Sequence, residues 1–410
     1  MSGPWADEVA VMSLSRVAEI NLGKMLQPAP RGADDFEIPY INAGLIAMDS
    51  LSELPRMFGS SDDVARYGVR KGDLVVAEGG DVGRTAFVPE LPVAAIIQNS
   101  LHRVRARPGA DIRFIRYSLD AVYGSGWLDV LCNRATFGHL TQEKLRALPI
   151  PARSAKDQAR IADRLDEETA RIDKLIAAKR RLRDLTKQSL DAAVMQLLFV
   201  DNDATWASLG RFVDLLPGNA FPSEAFTTDL SGVKLLRGVN IAPGAIRWDE
   251  CVYLPQNAAG EFSQFALKLG DIVLGMDRPL IAGGLRVAQV GEHDVPALLV
   301  QRVARLRARS DMEQDYVRFA LSSQAFAAHF APIVTGVSVP HISEDQILSF
   351  RLPVPRRDVQ IGICERLAHI ERAVSGLDKL LREQSALLIE RRQALITKAI
   401  ANNIPVWTAA

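Results

Sequence analysis

Arginines at every second position are the sharpest chemical feature of the sequence. Arg103, Arg105 and Arg107 alternate with Val104 and Ala106, and Arg305, Arg307 and Arg309 repeat the arrangement around Leu306 and Ala308. Side chains two apart on a strand share a face, so each row sets three guanidinium groups side by side. Such a row suits phosphate oxygens or the acceptor edge of guanine. It equally suits a solvated outer strand face that keeps a module soluble. Polar residues at nearby turns extend the candidate set, because loop side chains can reach base edges. They are Arg84, Asn99, His102, Arg134 and His139 in the first half, and Arg237, Asn240, Arg278 and His341 in the second. The two histidines His139 and His341 occupy equivalent places, which fits a shared structural hydrogen bond as well as a contact. A basic run, Lys179, Arg180, Arg181, Arg183 and Lys187, reads as a solvated helix face or as a lining for DNA between two recognised sites.

Catalytic signatures are missing. GxxxxGK[ST], HExxH and GxSxG do not occur, nor does the Asn/Asp-Pro-Pro-Tyr/Phe tetrapeptide typical of enzymes that methylate adenine amino groups. The six histidines have no metal-ligand spacing, and no acidic cluster with a lysine suggests a nuclease. Gly79-Gly-Asp-Val-Gly83 reads as a tight turn rather than a phosphate cradle. Cys132, Cys251 and Cys364 lie far apart, as in a reducing compartment, with no disulfide framework or zinc site. Neither a signal-peptide pattern nor an apolar run of about 18 residues occurs, so a cytoplasmic chain without a membrane span is expected. The 49 basic and 49 acidic side chains cancel, which argues against a general polyanion binder but leaves room for local basic patches.

The elements that must position these residues come in duplicate. Two Leu-Pro-x-Pro elements, Leu148–Pro151 and Leu352–Pro355, each precede a long charged stretch. Aligning Pro151 with Pro353, a shift of 202, also pairs His139 with His341, Gln158 with Gln360, Ile161 with Ile363, Leu165 with Leu367, and the two arginine rows. Gly72-Asp-Leu-Val75 matches Gly270-Asp-Ile-Val273 at a slightly smaller shift, as an insertion produces. So many matches in one order mean an internal duplication.

Each half closes on a long helix. In the second, Ile363, Leu367, Ile370, Val374, Leu377, Leu381, Leu388 and Leu395 follow the four-and-three spacing of a coiled-coil seam. The first copy offers Ile161, Leu165, Ile172, Leu175, Leu182, Leu185, Leu190 and Val194. Ser154 with Asp157 fits a capping box, while Asn202 and Asn402–Asn403, followed by Pro405, mark the ends. At about 1.5 Å per residue each helix spans roughly 60–70 Å and needs a partner along its seam. Antiparallel pairing of the two copies is the simplest solution. Ahead of each helix, short β-rich runs such as Asp73–Ala77 and Asp271–Leu274 alternate with turn clusters. The expected fold is therefore α+β, with modules at 1–151 and 203–355, long helices at 152–202 and 356–404, and a pseudo-two-fold internal repeat.

In this order the features resemble the specificity subunits of type I restriction-modification enzymes, the HsdS family. The resemblance covers nearly the whole chain. It rests on Lys71-Gly-Asp-Leu-Val-Val-Ala-Glu-Gly-Gly-Asp-Val-Gly-Arg84, on Thr335-Gly-Val-Ser-Val-Pro-His-Ile-Ser343, and on the two Leu-Pro-x-Pro elements leading to a Gln and a long helix. The second copy departs at Gly275–Gly284, where the glycine turn is replaced, so no base contact carries from one module to the other. The resemblance implies a phage-defence subunit without catalysis of its own. Two target-recognition domains each read half of a split site in double-stranded DNA, and the paired helices act as the ruler between them. It also implies two methylation subunits that use S-adenosylmethionine and restriction subunits that use ATP and magnesium, with no membrane partner. A rigid spacer would convert two modest binding events into one tight one. A structural coiled-coil adaptor and a stand-alone DNA-modifying enzyme remain alternatives. The first has no need of repeated loop-rich modules; the second needs an active site in an unfamiliar arrangement.

Overall fold

A computed structural model describes residue 5 and residues 9–47, 54–132, 138–201, 204–281, 284–334 and 340–401. Arg134, Asn202, Thr335–Val339, Asn402, Asn403 and Pro405 lie outside them. The chain divides into two compact units, Met1–Lys179 with Arg382–Ala410, and Arg180–Leu381.

In the first unit, period-two burial explains the central sheet. Its strand order is Ala18–Leu22, Leu101–Ala106, Leu74–Ala77 and Thr85–Phe87, all antiparallel. Leu74 and Val76 join the core formed with the helix Ile112–Gly124, whereas Val75 and Ala77 join a second core on the opposite face. An uninterrupted apolar run is what a strand covered on both faces requires. The second core lies against another sheet, ordered Arg56–Gly59, Phe36–Ile41, Ala95–Ile97 and Gly68–Val69, which contains one parallel pair. Pro149–Pro151 pairs with Val11–Ser13, so the first Pro-x-Pro element is a strand.

The second unit repeats this plan. Its sheet runs Val213–Pro217, Val303–Ala308, Ile272–Gly275 and Val287–Gln289. Leu74 sits opposite Val104 in the first sheet, and Ile272 sits opposite Leu306 in the second. A smaller sheet again contains a parallel pair, Val233–Leu236 with Ala297–Leu299, and Thr205–Ser208 pairs with Arg351–Val354.

The long helices span Ala155–Met195, 41 residues, and Arg357–Ala401, 45 residues. Ser154 caps the first through a 3.2 Å bond from the Asp157 amide. Within the first unit Arg153 meets the Ala401 carbonyl (3.1 Å), Asp173 meets Arg392 (3.1 Å) and Lys179 meets Gln384 (2.5 Å), so the paired segments run antiparallel. Arg183 and Asp378, 2.7 Å apart, form a matching pair in the second unit. The seam of the second helix faces inward as its spacing indicates: Ile363, Leu367 and Leu381 are buried. On the first helix the inward line differs from the one expected. Leu165, Ile172 and Val194 are buried as expected, whereas Leu175, Leu182 and Leu185 are about half exposed and Ile176 is buried in addition. The middle of that helix meets its partner through Lys179 and Arg183, whose polar ends find Gln384 and Asp378. Each module also draws helix residues into its core: Ala162, Leu165, Ile396 and Ile400 in the first, Val194, Leu198, Ile363 and Leu367 in the second.

A buried glutamine locks each module to its helix. Gln158 accepts from the Asp111 amide (3.0 Å) and donates to the Arg153 carbonyl (3.0 Å). Gln360 does the same with Glu313 (2.9 Å) and Pro355 (2.9 Å).

Candidate nucleic-acid interface

The arginine rows lie on the face of their strand that meets the second sheet, and this position decides their role. Arg103 is 3% exposed and donates to the Gly68 carbonyl at the edge of that sheet. Arg105 binds the buried Asp73 carboxylate with both Nε (2.6 Å) and Nη2 (2.7 Å). Asp73 is fixed in turn by the Arg70 amide (2.9 Å), in a tight turn whose Gly72 has φ 84°. The second module repeats the device: Arg307 grips Asp271 at 2.5 and 2.8 Å, the Lys268 amide donates to Asp271, and Gly270 has φ 86°. Arg305 is 9% exposed and reaches the Gln264 carbonyl (3.3 Å). Burial, with the neighbouring Arg105 or Arg307, pulls Arg103 and Arg305 below the usual guanidinium range, whereas hydrogen bonding to Asp73 and Asp271 raises Arg105 and Arg307.

Six of the expected DNA contacts are therefore committed within the fold, Arg103, Arg305, His102 and Asn240 as buried groups and Arg105 and Arg307 as half-buried ones. Besides those four arginines, His102 is fully buried, with Nε2 2.6 Å from the Leu140 carbonyl, and burial holds its pKa down. Asn240 is 1% exposed and ties the Arg237 amide to the Arg247 carbonyl. Arg237 braces the same loop through the Glu250 carbonyl (2.5 Å). A side chain committed to a buried partner costs too much to redeploy on DNA. Arg107 and Arg309 are exposed at the far end of their strands, where they meet the Ser15 carbonyl and Asp214.

The remaining candidates gather where the glycine turn joins Ala77 to Thr85. Gly83 donates to the Ala77 carbonyl (2.9 Å), and Gly80 and Gly83 take φ 73° and 86°, so this segment is a turn as its composition indicates. Glu78 donates to the Ser100 carbonyl through its amide and accepts from the Leu140 amide, which brings Asn99 and His139 alongside. Arg84, half exposed, pairs with Asp81 (3.2 Å), which also accepts from the Tyr123 hydroxyl (2.5 Å).

The equivalent place in the second module is more highly charged. His341 Nδ1 lies 2.7 Å from Asp277, and Arg302 Nη1 lies 3.3 Å from the same oxygen, with Arg278 exposed next along the chain. His139 and His341 do not share a hydrogen bond, because Gly79 stands where Asp277 does. Asp277, Arg302, Asp81 and Tyr123 escape a reading of the sequence, since each site is assembled from segments distant in the chain. The alignment of Arg278 with Gly80 is the one signal that marks the second module's turn as unusual. Among the described residues no group of three or more His, Cys, Asp or Glu could hold a metal ion, and no helix is long and apolar enough to cross a membrane.

Residues 6–181 match the model of the type I restriction modification DNA specificity domain. The chain is 31% identical over 196 residues to the EcoAI type I restriction enzyme specificity subunit of Escherichia coli, covering 48% of this chain and 33% of that protein. It is 26% identical over 208 residues to the MjaVIII type I restriction enzyme specificity subunit of Methanocaldococcus jannaschii, covering 50% and 48%. These matches thus take in about a third and about half of the two relatives' lengths. A chain solved in work on complex assembly and conformational transition of the type I R-M system shares the fold, with a TM-score of 0.69 at 16% identity over 98% of this chain and 99% of that one. The similarity to type I restriction modification DNA specificity domains thus lies within residues 6–181 of the chain.

Proposed function

We propose that this chain is the sequence-specific DNA-binding subunit of a type I restriction-modification complex, reading a divided target with one module per half-site. The observation that carries this reading is a scaffold repeated nearly bond for bond, from the Asp73 and Asp271 turns to the Gln158 and Gln360 locks, while the exposed turn residues differ. Equal frames with unequal loops suit two readers of unequal sequences. Arg84, Asn99 and His139 in one module and Arg278 and His341 in the other are the proposed contacts, with Arg107 and Arg309 available to phosphates. The paired helices set the gap between half-sites and offer a surface to two methylation subunits. Those subunits supply methyl transfer from S-adenosylmethionine, and restriction subunits supply ATP- and magnesium-dependent cleavage. The chain itself contributes recognition in the cytoplasm.

Exchange of residues 1–150 for the corresponding module of a relative tests this. Mapping of modified adenines in cells carrying the whole system should show one half of the target changed and the other kept. Alteration of both halves would sink independent reading.

A further inference from the structure

Among the described residues only two that are not glycine have a left-handed backbone: Arg278 at φ 43° and Arg302 at φ 68°. Both are arginines, both are exposed, and both flank Asp277 and His341. A residue with a Cβ holds this conformation only where its surroundings over-determine it. Here the Arg278 amide donates to Pro340 (2.7 Å), the Arg286 amide to Pro279 (2.7 Å) and the Met276 amide to Arg302 (2.9 Å). From inside, the Arg286 guanidinium binds the Asp277 carbonyl (3.0 Å). The repeat shows that the backbone does not demand arginine. The counterpart of Arg278 is Gly80, φ 73°, and the counterparts of Asp277 and Arg302 are Gly79 and Ser100. The left-handed turn is common to both modules, while the charged set is peculiar to the second.

Resting on the DNA-reading function above, we propose that Arg278 and Arg302, aligned by Asp277 and His341, form a guanine-reading head of the second module. Guanine presents two acceptors, N7 and O6, on its major-groove edge, and a guanidinium fork matches them as a pair. Asp277 takes one nitrogen of Arg302, which orients the group and leaves its other N–H donors for a ligand. The carboxylate also selects the ligand. A bare basic patch attracts phosphate, whereas a fork with an anion at its flank favours the neutral acceptor edge of a base. The first module, with glycine and serine at these places, has no such head.

The test is selection of duplexes from a randomised DNA pool by the full chain with its methylation subunits, followed by sequencing of the retained DNA. Arg278→Gly removes the guanidinium and installs the residue that the first module already uses there, so melting should not fall. Arg302→Ala provides a second, independent removal. The expected result is a loss of about tenfold or more in guanine preference at fixed positions of one half-site, with the other half-site unchanged. Unchanged guanine enrichment in both variants would overturn the proposal and leave the divided reading intact. Uniform weakening across all sequences would also overturn it, by assigning the arginines to phosphates. If the parent complex selects no divided motif, the DNA-reading function itself falls.

Discussion

Replacing Arg105 with methionine separates an interior arginine row from one that touches DNA. The Asp73 side chain is 3% exposed and that of Arg105 is 25% exposed, and two short bonds join them. Removing one partner of a buried pair costs about 3–5 kcal/mol, because the other charge is left without compensation. The solvent-facing part of Arg105 and the surviving bond from the Arg70 amide (2.9 Å) place the loss at the lower end, about 3 kcal/mol. For a unit of this size each kcal/mol moves melting by about 2–4 °C, so a drop of about 6–12 °C is expected. Arg105→Met combined with Asp73→Asn removes both charges and keeps a carbonyl acceptor for the Arg70 amide. That double variant should recover about 1–2 kcal/mol. Differential scanning calorimetry reads the loss, and amide exchange along Leu101–Ala106 locates it. The repeated geometry at Arg307 and Asp271 should give a similar cycle. Arg105 is a DNA contact instead if Arg105→Met melts with its parent and lowers the salt slope of DNA binding by about 0.9, the effect of one lost phosphate contact.

Other perturbations follow from the same geometry. Gln158→Ala strands the Asp111 amide and the Arg153 carbonyl and should cost about 1–3 kcal/mol, with Gln360→Ala equivalent; chemical denaturation would expose a negligible effect. Burial lowers the pKa of His102 in the folded unit, so the unfolded chain binds its proton more readily. Its contribution is complete above about pH 6.5 and is lost as pH falls through the lower folded value, so His102→Gln should flatten the acid-side decline in melting. An identical decline in parent and variant would contradict this. Insertion of one heptad into both long helices keeps their pairing and adds about 10 Å of rise. The gap in the modified target should then lengthen by about three base pairs, and an unchanged gap would show that the helices are not the ruler.

What was legible in the sequence follows from what fixes each residue. The duplication is visible because its matching residues hold the same local geometry in both modules. Gly72-Asp73 and Gly270-Asp271 make one strap, and Gln158 and Gln360 make one lock. Long helices and alternating strands follow from periodicity. Alternation also placed three arginines on one face, but it cannot say which face a neighbouring sheet will cover. Hence all four inner arginines read as surface groups, yet Arg103 and Arg305 are buried and Arg105 and Arg307 are half-buried against carboxylates. Spacing likewise misassigned the middle of the first helix. Leu175, Leu182 and Leu185 satisfy a seam on paper, yet Lys179 and Arg183 take the inward line because Gln384 and Asp378 stand opposite. The set of Asp277, Arg302 and His341 comes from three separate stretches, so only the fold assembles it.

The most direct test of divided reading is the sequence of duplexes that the chain retains from a randomised pool at physiological salt with the proposed methylation subunits present. Divided reading should yield two short defined stretches separated by an undefined gap of constant length. A single continuous motif, or no enrichment at all, would contradict it.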